Sequence, residues 1–416
     1  MSEAIDRKTK AGYSFREYIP IFMLTCFSGN PLFTSGVLAK PLLIAYVALF
    51  GLLAIKIRPE PTTTRSFNRL FILSGIIILL CLFQYIGLGF VSVPGVFALI
   101  LKLLLALLTF LYYKQRQLNI FDLYIRILPF IVMVSLPLFA LNFITHFGIP
   151  LENTQIRSQI LYTSFNFARE ELRNPGLFWE PGAFAGYLNL GLIFIVLQNR
   201  GFVIGKYKKQ IWWIIVGVLS TMSTMGYLAF ACIAVFYILN NYPYGKYVLL
   251  PVAIIGGYIS YYELDFLSAK IEDQYEVALD MGAEDVSNQR FGALTMDLQY
   301  IEDRPITGNG LNAITRYRFH PWINEDIGHG NGMSNFIVWW GIPFFIFYLF
   351  SFFQYTVKAT SSKLVGLAIV FLVMLLLQGE QFLNYPLFLL FFILPAFEYY
   401  RYEDPGFHDE PVTGSQ

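Results

Sequence analysis

The chain has 416 residues, of which 56% are hydrophobic and 14% charged, with a formal net charge of +1. A soluble globular protein carries about 25% charged residues, so this composition excludes a soluble enzyme and a disordered chain. The near-zero charge argues against nucleic acid as a partner.

Apolar runs of bilayer-spanning length recur along the whole chain. They predict an all-α polytopic membrane protein, a single transmembrane domain over residues 1–416. The N-terminus is polar and lacks the short apolar core and small-residue cleavage site of a signal peptide, so the first spanning helix is expected to serve as an uncleaved insertion signal. Twelve helices are predicted, at 18–36, 41–56, 69–89, 93–113, 127–147, 182–199, 210–222, 224–240, 246–262, 333–355, 363–381 and 383–400. Gly29-Asn30-Pro31 interrupts the first, and Ser223 with its neighbours separates the seventh from the eighth. Cys26, Cys81 and Cys232 all fall inside apolar runs and read as buried thiols, neither a disulfide framework nor a metal site.

Roughly two in three of the Lys and Arg residues fall on one side of the predicted spans, and the short loops on the other side are almost free of them. That asymmetry predicts cytoplasmic N- and C-termini and two larger outer loops, 149–181 and 263–332, the second partly helical. Lys102 is left near the centre of the fourth helix. A centred charge costs about 2.5–3.5 kcal/mol on insertion scales, so it should face protein or water.

The outer loops hold most of the residues able to do chemistry. The first carries Arg157, Arg169 and Arg173 and closes on Glu180-Pro181-Gly182. Proline suits a first helical turn and Glu180 would cap that helix's positive end, a reading that is equally that of an ordinary well-capped helix. In the second, Phe291, Leu294, Leu298 and Ile301 recur at helical spacing and predict one apolar face. Ser287 is its expected N-cap, Arg290 then lies in the first turn, and Pro305 ends the helix. An arginine beside free backbone N–H groups suits a phosphate, although most surface helices carry an arginine somewhere.

Ile306 to Gly310 forms a tight glycine turn without the Lys-Ser/Thr of a phosphate-cradling loop. Arg316, Arg318, His320 and then His329-Gly330-Asn331 follow. Two histidines nine apart with no third partner make a poor metal site, and no metal is expected. Gln378 to Gln381 ends the eleventh helix at the outer face, where it either lines the same cavity as the loops or marks the interface. Small polar residues from Thr221 to Tyr227 allow close packing and could also offer hydroxyls to a substrate. The 18% of aromatic residues suits interface belts, and aromatics in an outer cavity could also stack on sugar rings.

Five features, in order between 173 and 341, carry a family resemblance. They are Arg173 with Gly176 and Phe178 to Ala185; Ser223 to Ala229; Arg290 at the head of its helix; Pro305 to Gly310; and His329-Gly330-Asn331 ahead of Gly341. With these the chain resembles the bacterial O-antigen polymerase and O-antigen ligase superfamily of integral-membrane glycosyltransferases. It departs in one place: Gly330 separates the histidine and asparagine that are usually adjacent.

The resemblance implies transfer of a glycan from undecaprenyl pyrophosphate at the periplasmic face of the bacterial inner membrane, with no metal, cofactor or nucleotide sugar. It implies a lipid-linked oligosaccharide and membrane lipid as partners, with a chain-length regulator and a flippase as functional neighbours. Arg173 and Arg290 would stabilise the departing pyrophosphate, and His329 or Glu180 would take the acceptor proton. Arg316, Arg318, Asn331, Ser223, Thr224 and Tyr227 would hold substrate. A polymerase is the leading expectation. A ligase joining polymer to the lipopolysaccharide core is the alternative, and a secondary transporter, a class in which broken helices are common, is a third.

Overall fold

The computed structural model describes residues 13–34, 39–54, 61–145, 149–150, 156–165, 173–242, 286–287, 289–323 and 329–394, with 244, 247 and 251. The described part is an all-α bundle with one small sheet. Its helices are α1 (Phe15–Phe27), α2 (Pro31–Thr34), α3 (Ala39–Ala54), α4 (Pro61–Leu88), α5 (Val93–Gln115) and α6 (Ile120–Thr145). After the strands come α7 (Pro181–Gln198), α8 (Lys208–Thr221), α9 (Thr224–Asn241), α10 (Arg290–Asp303) and α11 (Ala313–Arg316). Then follow α12 (Gly332–Trp340), α13 (Ile342–Thr360), α14 (Lys363–Gly379) and α15 (Pro386–Leu389).

Among the described residues, six stretches are long and apolar enough to cross a membrane: Thr63–Leu88, Val93–Gln115, Ile120–Asn142, Pro181–Gln198, Thr224–Asn241 and Ile342–Thr360. Pro41–Leu52 and Lys363–Gly379 are shorter apolar helices. The exposed faces of α4 carry Phe71, Ile72, Leu79 and Ile86, as a lipid-facing helix should.

Helix α7 is the axis of the bundle. Every residue from Pro181 to Leu197 is buried, and α6, α8, α9, α13 and α14 all pack on it. A helix that is apolar all round has no solvent face to keep, so it takes the centre. Its start at Glu180 is thereby ringed by the ends of its neighbours. At the far end Asp122 accepts hydrogen bonds from Tyr13 (2.8 Å) and Tyr207 (2.6 Å) and pairs with Arg126 at 2.8 Å.

Several sequence expectations are corrected here. The segment expected to be an irregular loop at 149–181 carries strands: β1 (Ile149–Pro150), β2 (Ile156–Ser158) and β3 (Thr163–Phe165) form an antiparallel sheet in the order β1-β2-β3. Ile149 lies opposite Ser158, and Arg157 opposite Ser164. Asn30, at the break between α1 and α2, donates to the Gln159 and Leu177 carbonyls at 2.8 Å and ties this loop to the bundle.

The single helix expected over 333–355 is two. Gly341 breaks it with φ +83, and a Cβ there would run into the Ile306 carbonyl. The Pro305–Gly310 turn explains the break. It docks against it through Ile342 N–H to the Pro305 carbonyl (2.7 Å) and Asn309 N–H to the Val338 carbonyl (2.6 Å). Gln84 of α4 locks the joint by donating to the Thr307 and Trp339 carbonyls at 2.7 and 2.8 Å. The glycine turn therefore satisfies backbone groups that the broken helix leaves open.

The helix expected over 383–400 is, up to residue 394, a series of short turns around α15. The expected helix at 246–262 lies almost wholly outside the described residues. The predicted break between α8 and α9 is present, with Met222 left-handed at φ 47.

Candidate functional site

Glu180 is the N-cap residue of α7, but its side chain makes no hydrogen bond to the helix's free N–H groups. It meets a second carboxyl instead. Glu380, the first residue after α14, lies over the same helical turn. A Cβ on Gly182 would sit 2.5 Å from Glu380 Oε1 and 3.0 Å from Glu180 Oε1, so this glycine makes room for the pair. Trp179 Nε1 donates to Glu380 Oε2 at 3.3 Å, and Arg290 Nη2 stands 3.8 Å from Glu380 Oε1.

Burial, and next the Glu180 carboxyl, raise the Glu380 carboxyl well above the usual range against the opposing pull of Arg290. Glu380 thus holds its proton to higher pH than an ordinary glutamate. Arg290 Nε and Glu380 Oε1 have no hydrogen-bond partner among the described residues. Trp179 stacks on Tyr385 (4.7 Å, 24°), and Lys102 Nζ lies 5.4 Å from the centre of the Tyr385 ring. A continuous set of groups therefore runs from Lys102 through two aromatic rings to the carboxyl pair and Arg290. Lys102 faces protein, as its position in α5 required.

Helix α10 departs from expectation twice. Its cap position is Gln289, and Arg290 is its first residue. Ser287 lies upstream, where its carbonyl accepts from Gly330 N–H at 2.8 Å. The buried face of α10 is Gly292, Ala293, Met296, Asp297 and Tyr300, whereas Phe291 and Leu298 of the predicted face are 49% and 48% exposed.

On that buried face Asp297 anchors a polar network. Its carboxylate pairs with Arg316 and accepts from Ser334 Oγ at 2.6 Å, and His329 Nε2 stands 3.3 Å away. Arg316 also donates to Asn335 Oδ1 (2.9 Å), and its Nη2 lies 2.8 Å from His329 Nε2. Asp297 is 0% and Arg316 2% exposed. Burial alone would raise the Asp297 carboxyl, but Arg316 and His329 more than offset it and hold it below its usual range. Asn331 caps α12, accepting from Ser334 N–H at 3.0 Å. Arg316, His329 and Asn331 are thus brought together by protein partners, while Arg316 Nη1 is buried without a hydrogen-bond partner among the described residues.

Arg173 sits over the α8–α9 break, its Nε donating to the Thr221 carbonyl at 3.4 Å. Ser223 caps α9, accepting from Gly226 N–H at 3.3 Å, and Tyr227 OH donates to the Leu219 carbonyl at 2.8 Å. Thr224 opens α9 beside them. A Cβ on Gly379 would touch Met225, which places this break beside the end of α14 and hence beside Glu380. Arg318 is apart from the carboxyl pair, bonded to Asp303 and lying 4.5 Å from the Phe319 ring centre.

No family model, curated protein or solved structure matches this chain.

Asp297 was not singled out in the sequence, where it is one acid in a mixed helix. Glu380 lay in the Gln378–Gln381 segment, read there as either cavity lining or interface, without a role in the reaction.

Replacing Glu380 with Gln mimics the protonated carboxyl and tests the pair. A carboxyl whose folded value is raised stabilises fully below the ordinary glutamate value of about 4.3, and that contribution is lost as pH climbs through the raised value. Thermal unfolding of the purified protein should therefore show the wild type losing stability from acidic to alkaline pH relative to E380Q. Parallel pH profiles for the two proteins would show that Glu380 is ionised.

Proposed function

We propose that this chain is an inner-membrane glycosyltransferase that polymerises polysaccharide repeat units carried on undecaprenyl pyrophosphate. One observation carries the reading: Arg290 and the Glu180–Glu380 pair, from three distant segments, meet at the start of α7 beside stacked aromatic rings. Two carboxyls, of which Glu380 is the one held toward its protonated form, and a cation in one place match the demands of glycosyl transfer to a hydroxyl.

In this reading the acceptor hydroxyl attacks the anomeric carbon of the donor sugar. The carbon–oxygen bond to pyrophosphate breaks, and undecaprenyl pyrophosphate leaves with the electron pair. Glu180 takes the acceptor proton. His329 is the weaker choice for that step because its Nε2 is held between Arg316 and Asp297. Arg290 meets the charge that grows on the pyrophosphate, with Arg173 as the second cation. Trp179 and Tyr385 offer flat faces to a sugar ring. Arg316, His329 and Asn331 act as positioning residues that hold α10 against α12. The Lys and Arg distribution supports a periplasmic active face and cytoplasmic termini in this reading.

A gel profile of surface polysaccharide from a strain lacking the chain tests the proposal. Collapse of anchored material to a single repeat is the expected result. Long polymer that survives on the lipid carrier would make the protein a ligase, and an unchanged profile would reject both. The two broken helices and the protein-facing Lys102 favour a secondary transporter as the second reading. Substrate uptake by purified protein in liposomes, lost in Lys102→Met, would select it.

A further inference from the structure

At the other end of the bundle a cavity of about 340 Å³ opens between α4 and α13. Arg65 and Arg69 line it at the start of α4, the end that the Lys and Arg distribution assigns to the cytoplasm. Arg69 is fixed in place: Nε donates to the Phe392 carbonyl at 2.7 Å and Nη2 to Ser351 Oγ at 2.8 Å. Deeper along the same helices the lining becomes apolar, with Ile72, Phe347 and Phe350. Ile72 and Phe350 are exposed on the outside of the bundle. No carboxylate lines the cavity among the described residues.

We propose that this cleft binds one anionic phospholipid of the surrounding leaflet. Three features select that occupant. Two guanidiniums without a counter-ion among the lining residues suit a phosphate, which takes paired N–H donors. The step from cationic to apolar lining along α4, from Arg65 through Arg69 to Ile72, follows the order of headgroup and acyl chain. The apolar part opens on a face of the bundle that a bilayer would cover, which a free anion would not use. Helix α15 and the turns after it are tied to the site through the Arg69–Phe392 bond, so an occupied cleft would brace the end of the chain that follows Glu380. The proposal stands independently of the reaction at the carboxyl pair.

Native mass spectrometry of the full-length protein in neutral detergent tests it, with phosphatidylglycerol and phosphatidylcholine as the competing probes. The wild type should retain one phosphatidylglycerol in preference to phosphatidylcholine. Arg65→Glu should weaken that retention about tenfold, in line with reversal of one headgroup-facing charge. Gln354→Glu, which adds a carboxylate to the same lining, should do the same and serves if R65E fails to fold. Lys209→Glu, an exposed charge at the start of α8, should have no effect. Equal retention of the two lipids by the wild type, or unchanged retention in both cleft variants, would overturn the site. An equal loss in K209E would show diffuse attraction to the whole face. Displacement of the lipid by millimolar inorganic phosphate would show a free-anion site instead.

Discussion

Arg290→Ala is expected to abolish chain extension while leaving the protein inserted and folded. The guanidinium stands at the first position of α10, where the helix's free N–H groups reinforce its attraction for an anion. Its Nη2 is 3.8 Å from Glu380 Oε1, and its Nε is buried without a hydrogen-bond partner among the described residues. A donor left open in this way is available to a charge that arrives with the substrate and grows in the transition state. Losing such a group costs on the order of 10²–10³ in rate, about 3–4 kcal/mol. The fold should tolerate the change because losing Arg290 removes a charge that lowers the Glu380 carboxyl, which is then held still more firmly in its neutral form. Arg290→Lys retains the charge but not the planar fork, so partial activity is expected. The measurement is the length of polymer formed from lipid-linked repeats by purified protein, beside its thermal unfolding midpoint. Full-length polymer from a folded R290A protein would remove Arg290 from the site.

The sequence made some of this architecture legible and hid the rest for physical reasons. Local signals held. Pro181 after Glu180 marked the start of α7, the polar residues around Ser223 marked the α8–α9 break, and Pro305 ended α10. Each depends on backbone geometry that neighbours in sequence decide. Signals that depend on distant partners were absent. Gly341 looked like any helical glycine because the Ile306 carbonyl that requires it arrives from another segment. The apolar stripe of α10 was visible, but not which way each of its members turns. In water such a stripe turns inward, whereas in a chain rich in lipid-facing surface it can turn out. Phe291 and Leu298 do turn out, and small residues with Asp297 and Tyr300 make the packed face. Three-residue strands such as β2 and β3 are too short for alternation to declare them.

Asp297→Ala is the variant expected to cost the most stability, about 3–5 kcal/mol. The reason lies less in the bonds removed than in what remains. Arg316 is 2% exposed and would keep a buried positive charge with no counter-ion among the described residues. His329 and Ser334 would lose their acceptor at the same time. The α10–α12 contact should loosen, and with it the placement of Arg290 at the head of α10. A lower unfolding midpoint together with weaker polymerisation is the predicted pair of effects. Replacing both charges, Asp297→Leu with Arg316→Met, should recover much of the stability because no unpaired charge is left. The pH response separates this network from the carboxyl pair. Asp297 is held below its usual value, so its contribution is present above about 3.9 and is lost as pH falls through the folded value. Glu380 runs the other way, losing its contribution as pH rises. Both amides mimic the protonated carboxyl, so D297N and E380Q should each track the wild type most closely at acidic pH; as pH rises the wild type should gain stability over D297N and lose it relative to E380Q. A D297A protein with a wild-type midpoint but no polymer would instead place Asp297, Arg316 and His329 in the reaction itself.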